Sequence, residues 1–265
     1  MRIILPIKQV PETSGVRMDE KTGTMIREGV ESIVNPLDLY AIEVAIRLRE
    51  AHGGEVVAIS MGPPAAAKAL REAIAMGVDS AVLLSDKAFA GSDTWATSFV
   101  LAAAVRRLAP YDLIVCGERA TDGDTGQVGP GLAGFLDLPI LTYVSSMDAV
   151  AGGVCRAHRL VEDGYEVLEM DLPGVITVLK EAASPRLPTL RGKQRARKAE
   201  IPVWGAAELG LSADQVGLSG SPTRVVRIFR PSLARKCETV VAQDEAGVSD
   251  AVERLVAMLK GRGLL

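Results

Sequence analysis

Short apolar runs alternate along this chain with stretches in which apolar residues recur every three or four positions. The runs within Arg2–Lys8, Glu55–Met61, Ala81–Leu84 and Leu113–Cys116 read as buried parallel strands. Between them Leu37, Tyr40, Ala41, Val44, Ala45 and Leu48 keep helical spacing up to Gly53-Gly54. Asn35-Pro36 predicts the start of that helix, with Asn as N-cap and Pro at the first helical position. An Ala-rich helix follows Gly62-Pro63-Pro64 and reaches Met76, and Asp93 or Thr94 caps another that reaches Leu108. Strands alternating with helices of this length predict an α/β fold built on a doubly wound parallel sheet. In such a sheet, ligands bind beyond the carboxyl ends of the strands. The tips Pro6–Lys8, Met61-Gly62, Ser85–Phe89 and Gly117–Gly129 should therefore converge on one crevice.

The pattern then changes. Val154–Val161 and Tyr165–Leu172 flank Glu162-Asp163-Gly164, a tight hairpin signal, and Leu168, Met170 and Leu172 alternate with Glu169 and Asp171. Pro173 precedes a further apolar strand, Val175–Leu179. From Pro185 to Lys198 the chain is rich in proline and basic residues, and after Pro202 it is loop-heavy until an amphipathic helix near Asp250–Lys260. Turn signals at Thr13-Ser-Gly15 and Lys21-Thr-Gly23 mark Val10–Gly29 as polar and irregular. The expected division is an α/β domain over 1–184, a basic loop over 185–203 and a C-terminal arm with its helix over 204–265.

Composition narrows the class. The chain has 265 residues, 48% of them hydrophobic, and a formal net charge of −3, which argues against general nucleic-acid binding. No apolar run approaches the roughly 18 residues that span a bilayer, and Ile3–Ile7 is too short for a signal-peptide core. A cytoplasmic protein with no direct membrane insertion is expected. Cys116, Cys155 and Cys237 are far apart, and His52 and His158 have no second ligand beside them, so no metal site or nucleophilic triad is spelled out. Any redox chemistry must be carried by a cofactor.

The stretch after Cys116 holds the most specific chemistry. Gly117, Gly123, Gly126 and Gly129 are interleaved with Asp122, Asp124, Thr125 and Gln127, and Pro130 with Gly131–Gly134 can open a helix. A strand, a glycine-rich loop and a helix start aim backbone N–H groups at one point, and a helix end favours an anion there by roughly 0.3–1 kcal/mol. An ordinary strand-to-helix turn needs glycine for its backbone angles as well. Asp122 and Asp124 would be poor neighbours for a phosphate and suit ribose hydroxyls or turn N–H groups.

Together these residues resemble the beta subunit of electron transfer flavoproteins over almost the full length. The most specific part is Ala157–Thr177: a basic residue, an acidic-acidic-Gly turn, Glu, an aliphatic, then Pro and an aliphatic pair ending in Thr. Val34-Asn-Pro-Leu-Asp38 and Asp122–Gly129 also look like family elements. The resemblance implies a heterodimer with a larger, FAD-carrying alpha subunit, and an adenine nucleotide at the crevice. Some relatives keep AMP there; electron-bifurcating relatives keep a second FAD. Ser85–Ser98, Arg191–Val203 and Gly220-Ser-Pro-Thr223 are similar to the bifurcating subtype, whose electron donor would be NADH. Lys87 stands where many such relatives have Arg, and Trp95 where Leu is usual.

On matching positions, the resemblance implies that Pro6, Asn35, Met61 and the loop residues Asp122, Gly123, Asp124, Thr125, Gly126, Gln127, Val128 and Gly129 surround the AMP moiety. Asn35 can equally be purely a helix cap. With FAD present, Ser85, Asp86, Phe89, Asp93, Thr94 and Thr97 are candidates to hold its pyrophosphate, ribityl chain or ring, while Asp93-Thr94 also reads as an N-cap. Trp95 and Phe99, one turn apart, read as core. For the basic run the default is a solvated face. RNA binding is weakened by the lack of interleaved aromatics. Family resemblance favours docking of an acyl-CoA or other dehydrogenase, with Leu190 as anchor and Arg191, Lys193, Arg195 and Arg197 steering. The competing readings are an AMP-only beta subunit of a simple carrier and an adenine-nucleotide-binding regulator of the universal-stress type. No side chain is nominated as acid, base or nucleophile.

Overall fold

The computed structural model describes residues 1–12, 32–226 and 239–265, with the backbone of 17–18 and 25–26. The turn signals at 13–15 and 21–23 and Cys237 lie outside the described residues. Chain contacts group Met1–Val226 as one unit and Arg227–Leu265 as a second. The stretch 204–226, expected to belong to the C-terminal arm, groups with the first.

In chain order the first unit contains β1 (Arg2–Pro6), β2 (Gln9–Pro11), β3 (Arg17–Met18), β4 (Met25–Ile26), β5 (Ser32–Val34), α1 (Asp38–His52) and β6 (Glu55–Met61). It continues with α2 (Ala67–Met76), β7 (Ser80–Leu84), α3 (Thr94–Arg107), β8 (Leu113–Gly117), α4 (Val128–Leu136) and β9 (Ile140–Ala151). Then come β10 (Val154–Val161), β11 (Gly164–Asp171), β12 (Gly174–Val178), α5 (Leu190–Lys198), β13 (Val203–Trp204) and α6 (Ala206–Leu209).

One nine-stranded sheet organises them, in the order β11-β10-β9-β12-β8-β1-β6-β7-β13. From β9 to β13 neighbouring strands are parallel, while β9, β10 and β11 pair antiparallel. The parallel strands are buried on both faces because alternate residues enter different cores. Ile3 and Leu5 pack with α1 and α2, and Ile4 packs with α3 and α4. The expected doubly wound parallel sheet is what forms. β1 lies between β6 and β8, so the chain reverses its direction of winding there, and the crevice at such a switch point is where α/β folds take ligands.

The hairpin closes with Val161 opposite Gly164, whose φ of 140° suits glycine and no other residue. Three local expectations are corrected. Asn35 is not the N-cap of α1: the helix starts at Asp38 after a turn in which the Asp38 N–H donates to the Asn35 carbonyl at 2.9 Å. The basic segment is not a loop throughout, since Leu190–Lys198 forms α5, capped by the Thr189 hydroxyl on the Gly192 N–H. Trp95 is 58% exposed and so is no core residue, although its ring meets Phe135 edge-on at 4.7 Å. Phe99 does pack against the second core.

In the second unit Asp244 caps α7 (Glu245–Gly261) by accepting from the Gly247 N–H at 2.7 Å. Val248, Val252, Leu255 and Leu259 recur along it at helical spacing. Among the described residues no helix is long and apolar enough to cross a membrane.

Candidate nucleotide crevice

Two loops meet at the switch point, one after β1 and one after β8, and buried polar side chains tie them together. Asn35 is 1% exposed. Its amide donates to the Arg119 carbonyl at 2.8 Å and its carbonyl accepts from the Thr121 N–H at 3.2 Å. Sequence reasoning offered Asn35 as cap or ligand; its role in the chain is to hold the β8 loop against β5. Lys8 reaches across to Asp122 at 2.7 Å, and Arg119 meets Asp124 at 2.7 Å. Both loop acids are thus paired with cations of the crevice rim, Arg119 being shared with Glu118 at 2.8 Å. Asp124 sits at φ 53° and Gly126 at φ 62°, a left-handed stretch that turns the loop towards α4.

Asp38 was not foreseen as part of this region. It is 6% exposed and accepts the Lys8 N–H at 2.7 Å. A side chain at Gly117 would run into its carboxylate. Burial pushes the Asp38 carboxyl up to about 7, against the opposing pull of the Lys8 N–H. The sequence signal was an acid two residues after Asn35-Pro36, at the end of a strand–turn.

The remaining candidates cluster at the same end of the sheet. Pro6 closes β1 and is buried, and Met61 closes β6 with its side chain packed partly against the second core. Among the described residues the backbone N–H groups of Thr125, Gly126, Gln127, Val128 and Gly129 have no hydrogen-bond acceptor. These are the orphan donors expected where a helix begins. Gly129 is required by packing, because a Cβ there would lie 2.5 Å from the Thr177 methyl on β12.

α3 starts beside α4. Asp93 caps it through the Ala96 N–H at 3.0 Å, and the Thr94 hydroxyl donates to the Gln127 side chain at 2.8 Å. The other oxygen of Asp93 accepts from the Thr223 N–H at 2.9 Å and hydroxyl at 2.7 Å, while the Asp93 N–H donates to Ser221 at 2.9 Å. The Gly220–Thr223 motif therefore folds back onto this helix start. Burial raises the Asp93 carboxyl, but the Ala96 and Thr223 donors outweigh it and hold it below the usual range. Thr97 lies one turn further on, half-buried.

Three other expected ligands make contacts within the chain. Ser85 donates its N–H to the Trp204 carbonyl at 3.0 Å. Asp86 accepts from Ala88 and Ala206 N–H groups, which hold its carboxyl below the usual range. Phe89 is 5% exposed, inside the second core. Among the steering residues Arg191, Lys193 and Arg197 are exposed and Leu190 is 81% exposed. Arg195 spends its guanidinium on the Ile74 and Val78 carbonyls of α2 and the turn after it.

A doubly wound parallel sheet with helix starts converging at its switch point defines an α/β protein of the class that takes ligands at that crevice. Comparison with known proteins makes the class particular. The electron transfer flavoprotein domain matches residues 22–209. The chain is 46% identical over 256 residues to the electron transfer flavoprotein subunit beta of Thermoanaerobacterium thermosaccharolyticum, covering 96% of this chain and 98% of that one. It is 43% identical over 266 residues, 100% of both chains, to the caffeyl-CoA reductase-Etf complex subunit CarD of Acetobacterium woodii. Protein FixA of Azorhizobium caulinodans is 44% identical over 260 residues, 95% of this chain and 92% of that one. The chain belongs to the electron transfer flavoprotein family and is a beta subunit of it, working in electron transfer.

Proposed function

We propose that this beta subunit pairs with an FAD-carrying alpha subunit in the cytoplasm. We further propose that its own crevice holds a second FAD, reduced by NADH, whose electrons part to two acceptors. The observation that carries the second FAD is the Thr94–Gln127 contact, which sets two helix starts side by side. One helix start can hold the phosphate of AMP or a pyrophosphate, and a second start beside it adds donors that only a ligand extending past the first phosphate would reach. Full-length similarity to the CarD subunit supports the same reading.

The bound flavin would supply the redox chemistry, and the chain would supply position and field. Residues 125–129 would donate N–H groups to the phosphate nearer adenosine, and the start of α3 would face the next. Pro6 and Met61 would floor the adenine. Lys8 and Arg119, paired with Asp122 and Asp124, would lessen the rim's repulsion of the anion. The burial of Phe89 favours the AMP-only carrier instead, because this loop's phenyl ring then has no face free for a flavin.

Co-expression with the alpha subunit and a count of released cofactors separates the two. Two FAD per heterodimer is the expected result; one FAD with one AMP overturns it in favour of the simple carrier. The exposed Leu190, with Arg191, Lys193 and Arg197 around it, we read as the docking point for an acyl-CoA or other dehydrogenase. Leu190→Ala should weaken electron transfer with that partner and leave the nucleotide in place; unchanged transfer kinetics would overturn the docking role.

A further inference from the structure

Arg186 lies between Pro185 and Pro188, just before α5, and four of the five N–H donors of its guanidinium bond two carboxylates. Nε donates to Glu43 at 2.8 Å and Nη2 to the other oxygen of Glu43 at 3.1 Å. Nη1 and Nη2 also reach the two oxygens of Glu50 at 2.6 and 3.0 Å, and the Arg186 N–H donates to Glu43 at 3.1 Å. Both acids are on α1, one on the next two turns from the other. The Glu43 side chain is 3% exposed and also accepts Arg47 Nε at 2.7 Å. Burial pushes the Glu43 carboxyl up, and the bonds from Arg186 and Arg47 more than reverse it.

The far side of the segment is held as firmly. Arg195 of α5 donates to the Ile74 and Val78 carbonyls at 2.8 and 2.7 Å, at the end of α2. In return Arg71 of α2 donates to the Ala196 and Ala199 carbonyls at the end of α5. Each helix end is thus capped by the other's arginine. A Cβ on Gly192 would lie 2.0 Å from the Ala75 carbonyl oxygen, so the contact between the helices tolerates nothing larger.

What this anchorage presents is apolar. Leu187 and Leu190 are 86% and 81% exposed, and each follows an anchored residue within a turn. Two leucines projecting from a pinned segment lose little freedom when a partner covers them, which lowers the entropic cost of binding. Only the Glu50 arm of the fork is open to water, with Glu50 49% exposed, and a pair of that kind adds little to folding, whereas the Glu43 arm is buried. The fork's geometric effect is larger, because a planar fork on two carboxylates fixes direction as well as distance.

We propose that Arg186 is a positioning residue for partner docking, clamping the Pro185–Pro188 segment to α1 so that Leu187 and Leu190 are presented in their bound arrangement. This rests on the docking reading of Leu190.

The test uses the intact heterodimer with an acyl-CoA dehydrogenase, reading KM for the flavoprotein and kcat separately in Arg186→Gln, Leu190→Ala and the double variant. Arg186→Gln should raise KM roughly 2- to 10-fold, the range expected from freeing one or two side chains, with kcat and cofactor content unchanged. In the Leu190→Ala background the same change should have under half that effect, because most of what Arg186 positions has gone. If Leu190→Ala leaves KM unchanged, the docking reading fails and the clamp with it. If Leu190→Ala raises KM but Arg186→Gln does not, or if the two effects multiply, docking stands and the positioning role falls. Should Arg186→Gln not fold, Glu50→Gln removes only the half-exposed arm of the fork and is held to the same outcomes.

Discussion

The Thr94 hydroxyl donates to the Gln127 side-chain oxygen at 2.8 Å, joining the starts of α3 and α4 on one face of the sheet. Ser98, one turn along α3, bonds the Val128 carbonyl at 3.3 Å and continues the seam. Thr94→Val keeps shape and removes the donor. A side-chain hydrogen bond is worth about 0.5–1.5 kcal/mol, so nucleotide affinity should fall roughly 2- to 10-fold while the urea midpoint moves little. Titration calorimetry with the stripped protein reads this; an affinity equal to wild type would mean that the two helix starts need no such link.

Asp38 makes stability depend on pH in a defined direction. Its carboxyl ionises near pH 4 in the unfolded chain and at about 7 in the folded one, because burial disfavours the charge. Its contribution is therefore fully present below pH 4 and is lost as pH rises towards 7, beyond which it stays level. That difference in pKa corresponds to about 4 kcal/mol as an upper bound. Asp38→Asn keeps an acceptor for the Lys8 N–H and removes the charge. The variant should gain on wild type as pH rises from about 4 to 7 in urea melts and keep that gain above 7; parallel curves would show that burial does not shift Asp38.

Gly129 and Thr177 form a second testable pair. Gly129→Ala places a methyl 2.5 Å from the Thr177 methyl and should push α4 off β12, costing about 1–3 kcal/mol. Thr177→Ser deletes the opposing methyl and keeps the oxygen that accepts the Tyr143 N–H at 3.1 Å. Combined with Gly129→Ala it should recover most of the loss in thermal melts. Simple addition of the two effects would place the strain elsewhere.

Asp93 holds two things at once, the start of α3 and the Ser221–Thr223 segment. Asp93→Ala should lose about 1 kcal/mol from the cap and free the segment. Limited proteolysis near Ser221 should then quicken well beyond what the stability change explains. Thr223→Val removes the hydroxyl and leaves the cap intact, and should speed cleavage with little change in melting temperature. Identical cleavage of both variants and wild type would show that the segment is held by other contacts.

Legibility differed from element to element for physical reasons. The strands at 2–6, 55–61, 80–84 and 113–117 were readable because burial on both faces demands continuous apolar runs. The hairpin was readable from its turn. β9 passed unnoticed, since it leaves the parallel sheet half-way and then serves as the hairpin's inner neighbour, so its polar residues follow two environments. α5 was hidden by its charge: nearly every side chain is polar, and only its tight seat on α2 makes it worth forming. Trp95 kept helical spacing with Phe99, yet the helix turns it towards solvent against one edge of Phe135.

By itself the sequence determined the alternation of strands and helices and the hairpin, because periodicity and turn chemistry are local properties, while the family was legible only as a resemblance of motifs. Tertiary structure decided which polar groups are already spent. Asn35 holds a loop, Asp86 and Arg195 satisfy backbone groups, and Arg186 grips two acids 143 and 136 residues away along the chain. A side chain's type shows what it can bond; only the packed chain shows which partner lies within 3 Å of it.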